Sequence, residues 1–168
     1  MSTIILKGNI IHTPTKDKLE CTPGGYVISV DNEVKGVFTQ LPEEYSHCPV
    51  MDYGDCLIIP GLCDMHVHAP QFVYRGLGLD LQLMDWLNRY AFPTEARFRD
   101  PEYARIYYDA FAESLARNGT TRAVIFGTIH VPATEILMES LEKRRIAAYV
   151  GKINMDTLSP DYLCETPQ

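Results

Sequence analysis

Leu57-Ile58-Ile59-Pro60-Gly61-Leu62-Cys63-Asp64-Met65-His66-Val67-His68 is the stretch on which the fold turns. An apolar run enters it, Pro60-Gly61 breaks the chain, and residues 62–68 then alternate as a strand does. Side chains two apart in a strand point the same way, so His66 and His68 share one face, and Asp64 shares their parity. Two neutral imidazoles one strand-step apart can hold one Zn²⁺ or Fe²⁺ at about 2.0–2.1 Å. A bare His-x-His is common and says little alone. The buried approach, the Pro-Gly break and the Asp64 spacing are what a surface pair of histidines does not need.

Working outward, the chain divides near Asp52. Before it lie short β-rich runs with turn residues between them. Residues 4–6 and 9–12 flank Lys7-Gly8, residues 26–30 follow the turn-forming Pro23-Gly24-Gly25, and residues 34–39 follow a hairpin connection at Asp31-Asn32-Glu33. This predicts a small antiparallel sheet, assigned to residues 1–55. After it, strands alternate with helices. Leu79, Leu83, Trp86, Leu87 and Tyr90 fall on one helical side. Asp100-Pro101 is a helix start, and Tyr103, Ile106, Tyr107, Ala110, Phe111 and Leu115 are its predicted apolar stripe. Asn118-Gly119 ends it. Residues 120–126 read as a strand, 133–144 as a helix and 146–155 as a buried strand. Strands separated by helices imply parallel pairing with right-handed crossovers. The fold class is therefore α/β, with about three strand-helix units over residues 56–168, as in a partial (β/α)8 barrel. In such a barrel the C-terminal strand ends form the active face, and the histidine pair sits at one, before the Ala69-Pro70 loop.

The 168 residues are too few for a closed (β/α)8 barrel, which takes roughly 250. Hydrophobic residues make up 46% and the net charge is −7. This suits a soluble protein and disfavours nucleic acid or an anionic membrane as partner. Five cysteines, an odd number without a Cys-x-x-Cys pair, predict free thiols in a reducing compartment, buried as small apolar residues. Residues 1–11 do not read as a signal peptide and no run is long enough to span a bilayer, so a cytoplasmic location is expected.

The run from Pro60 to His68 resembles the first-strand signature of the amidohydrolase superfamily. Its continuation, Ala69-Pro70-Gln71, Leu83-Met84-Asp85-Trp86-Leu87, Tyr90-Ala91-Phe92-Pro93-Thr94-Glu95 and Arg97-Phe98, is similar to guanine deaminases. So are Asn118-Gly119-Thr120-Thr121, Thr128-Ile129-His130 and Val150-Gly151-Lys152 with Met155-Asp156. The resemblance implies one divalent metal, zinc or alternatively iron, with His66 and His68 as its first two ligands. It implies that His68, Ala69, Pro70 and Gln71 line the substrate, with the Gln71 amide hydrogen-bonding a purine edge. The reaction implied is attack of hydroxide at C2 of guanine, giving xanthine and ammonia, in a homodimer when full length. It also implies that residues 1–55 are the N-terminal part of a composite β-sandwich domain.

Two further histidines, an aspartate and a proton-shuttling glutamate of that pattern have no match after Asp156, so the 168-residue chain alone is expected to be inactive and poorly stable. Arg75, Leu83, Trp86 and His130 are secondary candidates, each with an ordinary structural role as the alternative. Lys152 is set aside because a single-metal site does not need it, and His12 and His47 read as structural. The competing functions are another amidohydrolase deaminase or chlorohydrolase, or a non-catalytic association module. The unrelated zinc deaminases are excluded, because His-x-Glu and Pro-Cys-x-x-Cys are both absent.

Overall fold

The first sheet is built on one long strand, β1 (Thr3–Thr15), which pairs antiparallel with β2 (Lys18–Val30). In this computed structural model, which describes residues 2–166, β2 runs through Pro23-Gly24-Gly25 where a turn is predicted. The reason is a bulge. Gly8 faces Gly25 and Ile10 faces Thr22, so β2 carries one extra residue there. Gly24 takes the left-handed conformation, φ +60°, and its N–H donates to Asn9 Oδ1 at 3.1 Å. Asp31 and Asn32, both at positive φ, form the two-residue turn to β3 (Glu33–Phe38), as the hairpin reading predicts. Ile5, Ile10 and Ile28 are buried.

The sheet order is β3-β2-β1-β4, and β4 (Val50–Ile58) pairs parallel with β1. The expectation of an all-antiparallel sheet is corrected here. Residues 39–49 carry the chain away from β3, and β4 joins at the far edge running with β1. Leu57 and Ile58 thus belong to this first sheet. The chain divides into compact units Met1–Pro60 and Gly61–Gln168.

The second unit has three parallel strands in the order β5-β6-β7: β5 (Leu62–His68), β6 (Thr120–Phe126) and β7 (Ala147–Gly151). This is the predicted βαβαβ pattern. The helices α3 (Pro101–Arg117) and α4 (Val131–Lys143) follow β5 and β6. Asp100 caps α3 by accepting the Glu102 N–H at 2.9 Å, Pro101 opens it, and Gly119 leaves it at φ +77°. The core joins Val67, Ala123 and Ile125 of the sheet to Tyr108, Phe111, Ala112, Leu137 and Leu141 of the helices. Arg144, bonded to Asp109 at 2.7 and 2.9 Å and to Glu113 at 3.0 Å, clamps the end of α4 to α3.

Four details differ from the sequence reading. The buried face of α3 is Ala104, Tyr108, Phe111 and Ala112, and Ile106 is exposed, so the predicted stripe is rotated around the helix. Alanines and tyrosines occur on both faces and blur the 3.6-residue signal. The helix near Trp86 is three pieces: α1 (Leu83–Trp86), a π turn (Leu87–Ala91) and α2 (Phe92–Arg97). Pro93 explains this, since it lacks the N–H that a continuous α-helix needs and a π turn before it absorbs the mismatch. β7 ends at Gly151, and β5 and β7 expose Leu62, Met65 and Tyr149 where buried strands are predicted. These strands are the two edges of the sheet, with a neighbour on one side only. Lastly, Cys21, Cys56, Cys63 and Cys164 are exposed, and Cys48 is half-buried; the thiols are free, as expected, but they are not core residues.

Candidate active site

β5 starts where a side chain has no room. A Cβ on Gly61 would lie 2.2 Å from Thr121 Cγ2 and 2.8 Å from Thr121 Cβ. Glycine there lets β5 approach β6, and the Leu62 N–H donates to the Gly119 carbonyl at 2.8 Å. Val67 lies beside Ile125 on the helix-covered side, so the neighbouring positions His66 and His68 project from the other face. Their ring centroids are 5.2 Å apart. Asp64 does not join them: its Oδ1 accepts the His66 N–H at 3.1 Å, and a register irregularity separates it from Val67.

After His68 the chain turns at once into a 3₁₀ segment, Ala69–Tyr74. Pro70 fits its first turn, where a missing N–H costs nothing. Ala69 and Pro70 are buried and set the direction of the turn. Gln71 lies on the wall of a cavity of about 570 Å³, with His66, His68, Tyr74, Arg75 and Trp86. That volume is within the range of small-molecule sites. Burial, and then the neighbouring His66, hold the His68 imidazole below the usual histidine range, which favours the neutral form a metal ligand requires.

The secondary candidates separate. Arg75 lies on the wall with its guanidinium 3.8 Å from the Phe72 ring centre, donating to the Phe72 carbonyl at 2.8 Å. Trp86 lines the cavity, edge-on to Tyr74 at 5.5 Å, whereas Leu83 is 68% exposed and outside it. His130 stands just before α4, makes no side-chain hydrogen bond to the helix end, and has its Nε2 buried and unpartnered. Lys152 donates to Glu165 at 2.7 Å. His12 lies 3.5 Å from Glu20, and His47 Nε2 is 3.6 Å from Cys48 Sγ.

One residue beside the histidines, and one buried acid behind the cavity-lining Tyr74, escape sequence reasoning. Phe126 ends β6 directly beside His68, its ring stacked on that imidazole at 4.6 Å and 5.1 Å from that of His66. Its signal was its place as the last apolar residue of the strand next to the pair. Glu95 on α2 is only 5% exposed, with Oε2 unpartnered, and burial pushes its carboxyl up to about 7. Its charge acts on Tyr74, whose hydroxyl is pushed up by burial and then by Glu95. The signal was an acidic residue at helical spacing from Ala91 and Phe92.

The two imidazoles suit a divalent cation: they share a face, they line a common cavity, and His68 favours its neutral form. Among the described residues no group of three or more His, Cys, Asp or Glu side chains is placed to hold a metal ion. The pair therefore fits as part of a ligand set.

Residues 57–167 match the Amidohydrolase family. Guanine deaminase of Dictyostelium discoideum is 34% identical over 184 residues, covering 98% of this chain and 40% of that protein. Guanine deaminase of Mus musculus is 47% identical over 163 residues, covering 91% and 36%. Among solved structures, guanine deaminase from C. acetobutylicum with bound guanine in the active site is 42% identical. It superposes with a TM-score of 0.91 over 98% of this chain and 39% of that one. A triazine hydrolase at 16% identity and a TM-score of 0.80 shares the fold. The chain thus spans about two-fifths of the length of the first two of these relatives.

Proposed function

This chain belongs to the amidohydrolase family, and we propose that it carries the N-terminal part of a guanine deaminase site, hydrolysing guanine to xanthine and ammonia. One observation carries the reading: His66, His68 and Gln71 converge on a single cavity at the C-terminal end of β5. The 42% identity with a protein that binds guanine in its active site supports the choice of substrate. His66 and His68 would hold zinc, with iron as the alternative. A divalent cation held there lowers the pKa of a water molecule, so that hydroxide is available near neutral pH.

This chain's own residues then bind and orient. The Gln71 amide offers both a donor and an acceptor, matching the mixed edge of a purine. Ala69 and Pro70 are buried, so they contribute through the backbone and by fixing the turn that presents Gln71. Trp86 and Tyr74 supply apolar, aromatic wall against which a flat heterocycle can lie. The first unit is read as the N-terminal part of a composite β-sandwich domain, and the second as the first part of a metal-dependent barrel. The reading includes a homodimer in the cytoplasm acting on a small molecule, without nucleic acid or membrane. The net charge of −7 supports the last two points, and among the described residues no helix is long and apolar enough to cross a membrane.

The test is ammonia release and xanthine formation by the longest product of the encoding gene, supplied with guanine, adenine, cytosine or a chlorotriazine. Guanine is expected to be preferred, with Gln71→Ala reducing kcat/KM for guanine about tenfold or more, the order of one lost charge-neutral hydrogen bond to a substrate. Preference for a non-purine would reject the reading. The 168 residues by themselves are expected to give no turnover, because catalytic zinc uses three protein ligands.

A further inference from the structure

We propose that Phe126 is a positioning residue that holds the His66 and His68 imidazoles in the orientation they need to share one cation; this rests on the metal reading above. Phe126 is the last residue of β6, directly opposite His68 in the parallel register. Its ring lies nearly parallel to that of His68, 16° between planes at 4.6 Å, and tilted by 53° to that of His66 at 5.1 Å. One ring therefore touches both imidazoles, which are themselves inclined at 58°. An imidazole at the open end of a strand otherwise has several χ1 wells and a broad χ2. A side chain packed on its face removes most of them.

The geometry of stacking suits this purpose. Imidazole lone pairs lie in the ring plane, so a partner on the ring face restrains the ring and leaves the nitrogens open. Metal-bound histidines are commonly oriented by a hydrogen bond from the second ring nitrogen to an acceptor. Among the described residues neither ring makes such a bond, while both contact Phe126. Phe126 is also 36% exposed and stands on the face away from the core formed by Ala123 and Ile125, so filling the core does not account for it.

The experiment measures zinc affinity by chelator competition, and stability by urea unfolding, on the longest product of the gene. The variants are Phe126→Leu, Phe126→Ala, Phe126→Tyr, His66→Ala and His68→Ala. Phe126→Leu keeps apolar bulk without a planar face and is expected to weaken zinc binding several-fold. Phe126→Ala is expected to weaken it roughly tenfold, in line with the loss of other orienting partners around metal sites. Phe126→Tyr keeps the stack and is expected to bind as the parent does. A folded Phe126→Leu with parental zinc affinity would overturn the proposal, as would a Phe126→Tyr variant as weak as the leucine one. A purely structural role would lower the urea midpoint and leave affinity untouched. The two readings fail separately: zinc binding unchanged in both histidine variants would sink the metal site itself.

Discussion

Replacing Glu95 by glutamine should make the protein more stable at pH 8 and leave it nearly unchanged at pH 4. The Glu95 carboxyl is 5% exposed, and burial pushes it from 4.5 up to about 7. At pH 4 the carboxyl carries its proton in both the folded and the unfolded chain, so it favours neither. Between about 4.5 and 7 the unfolded chain has released the proton and the folded chain keeps it. The folded state then binds more protons, and this group's contribution to stability falls as the pH rises. Above about 7 both states are ionised and the full cost of the buried charge is in place. At about 1.4 kcal/mol per pH unit, a rise from 4.5 to about 7 costs roughly 3 kcal/mol. Glutamine is close to isosteric and stays neutral, so it escapes the cost. The carboxylates held low by cations, such as Asp109 beside Arg144, impose the opposite slope, but they are the same in both proteins and cancel in the difference. The assay is urea unfolding of parent and Glu95→Gln at half-unit steps from pH 4 to 8.5. The two stability curves should diverge from about pH 4.5, with the variant ahead by roughly 3 kcal/mol above pH 7. Curves that stay parallel throughout would refute the buried, neutral Glu95.

Two further substitutions probe the frame that carries the histidines. Gly61→Ala forces a methyl to within 2.8 Å of Thr121 Cβ, and should lower stability by about 1–3 kcal/mol in urea unfolding; an unchanged midpoint would show that β5 need not approach β6 so closely. Leu137→Ala empties a fully buried position between α4 and the sheet and should cost about 2–5 kcal/mol, whereas a loss below 1 kcal/mol would mean the core collapses to fill the gap.

How much was legible beforehand depended on the range of the interaction. The strand at Leu62–His68, the parity that pairs His66 with His68, and the Asp100-Pro101 and Gly119 ends of α3 follow from local rules, and the structure bears them out. Gln71 comes from the family resemblance and not from a local rule; it lies on the cavity wall. What local rules could not supply were effects set by neighbours distant in sequence. β4 joins β1 in parallel because of where the chain returns after residue 49, which no window of residues encodes. The π turn before Pro93 and the bulge at Pro23-Gly24 keep an element going where the residue types signal a stop. Phe126 sits beside the histidines only because β6 pairs with β5 in that register. Glu95 is buried because α2 packs on the 3₁₀ segment, which its charge gave no reason to expect.

The most direct test is anomalous diffraction at the zinc edge from crystals of the longest gene product grown with zinc. One peak is expected within about 2.0–2.1 Å of a ring nitrogen of both His66 and His68, facing the cavity that Gln71 lines. A zinc ion bound elsewhere with both imidazoles beyond bonding distance would contradict it.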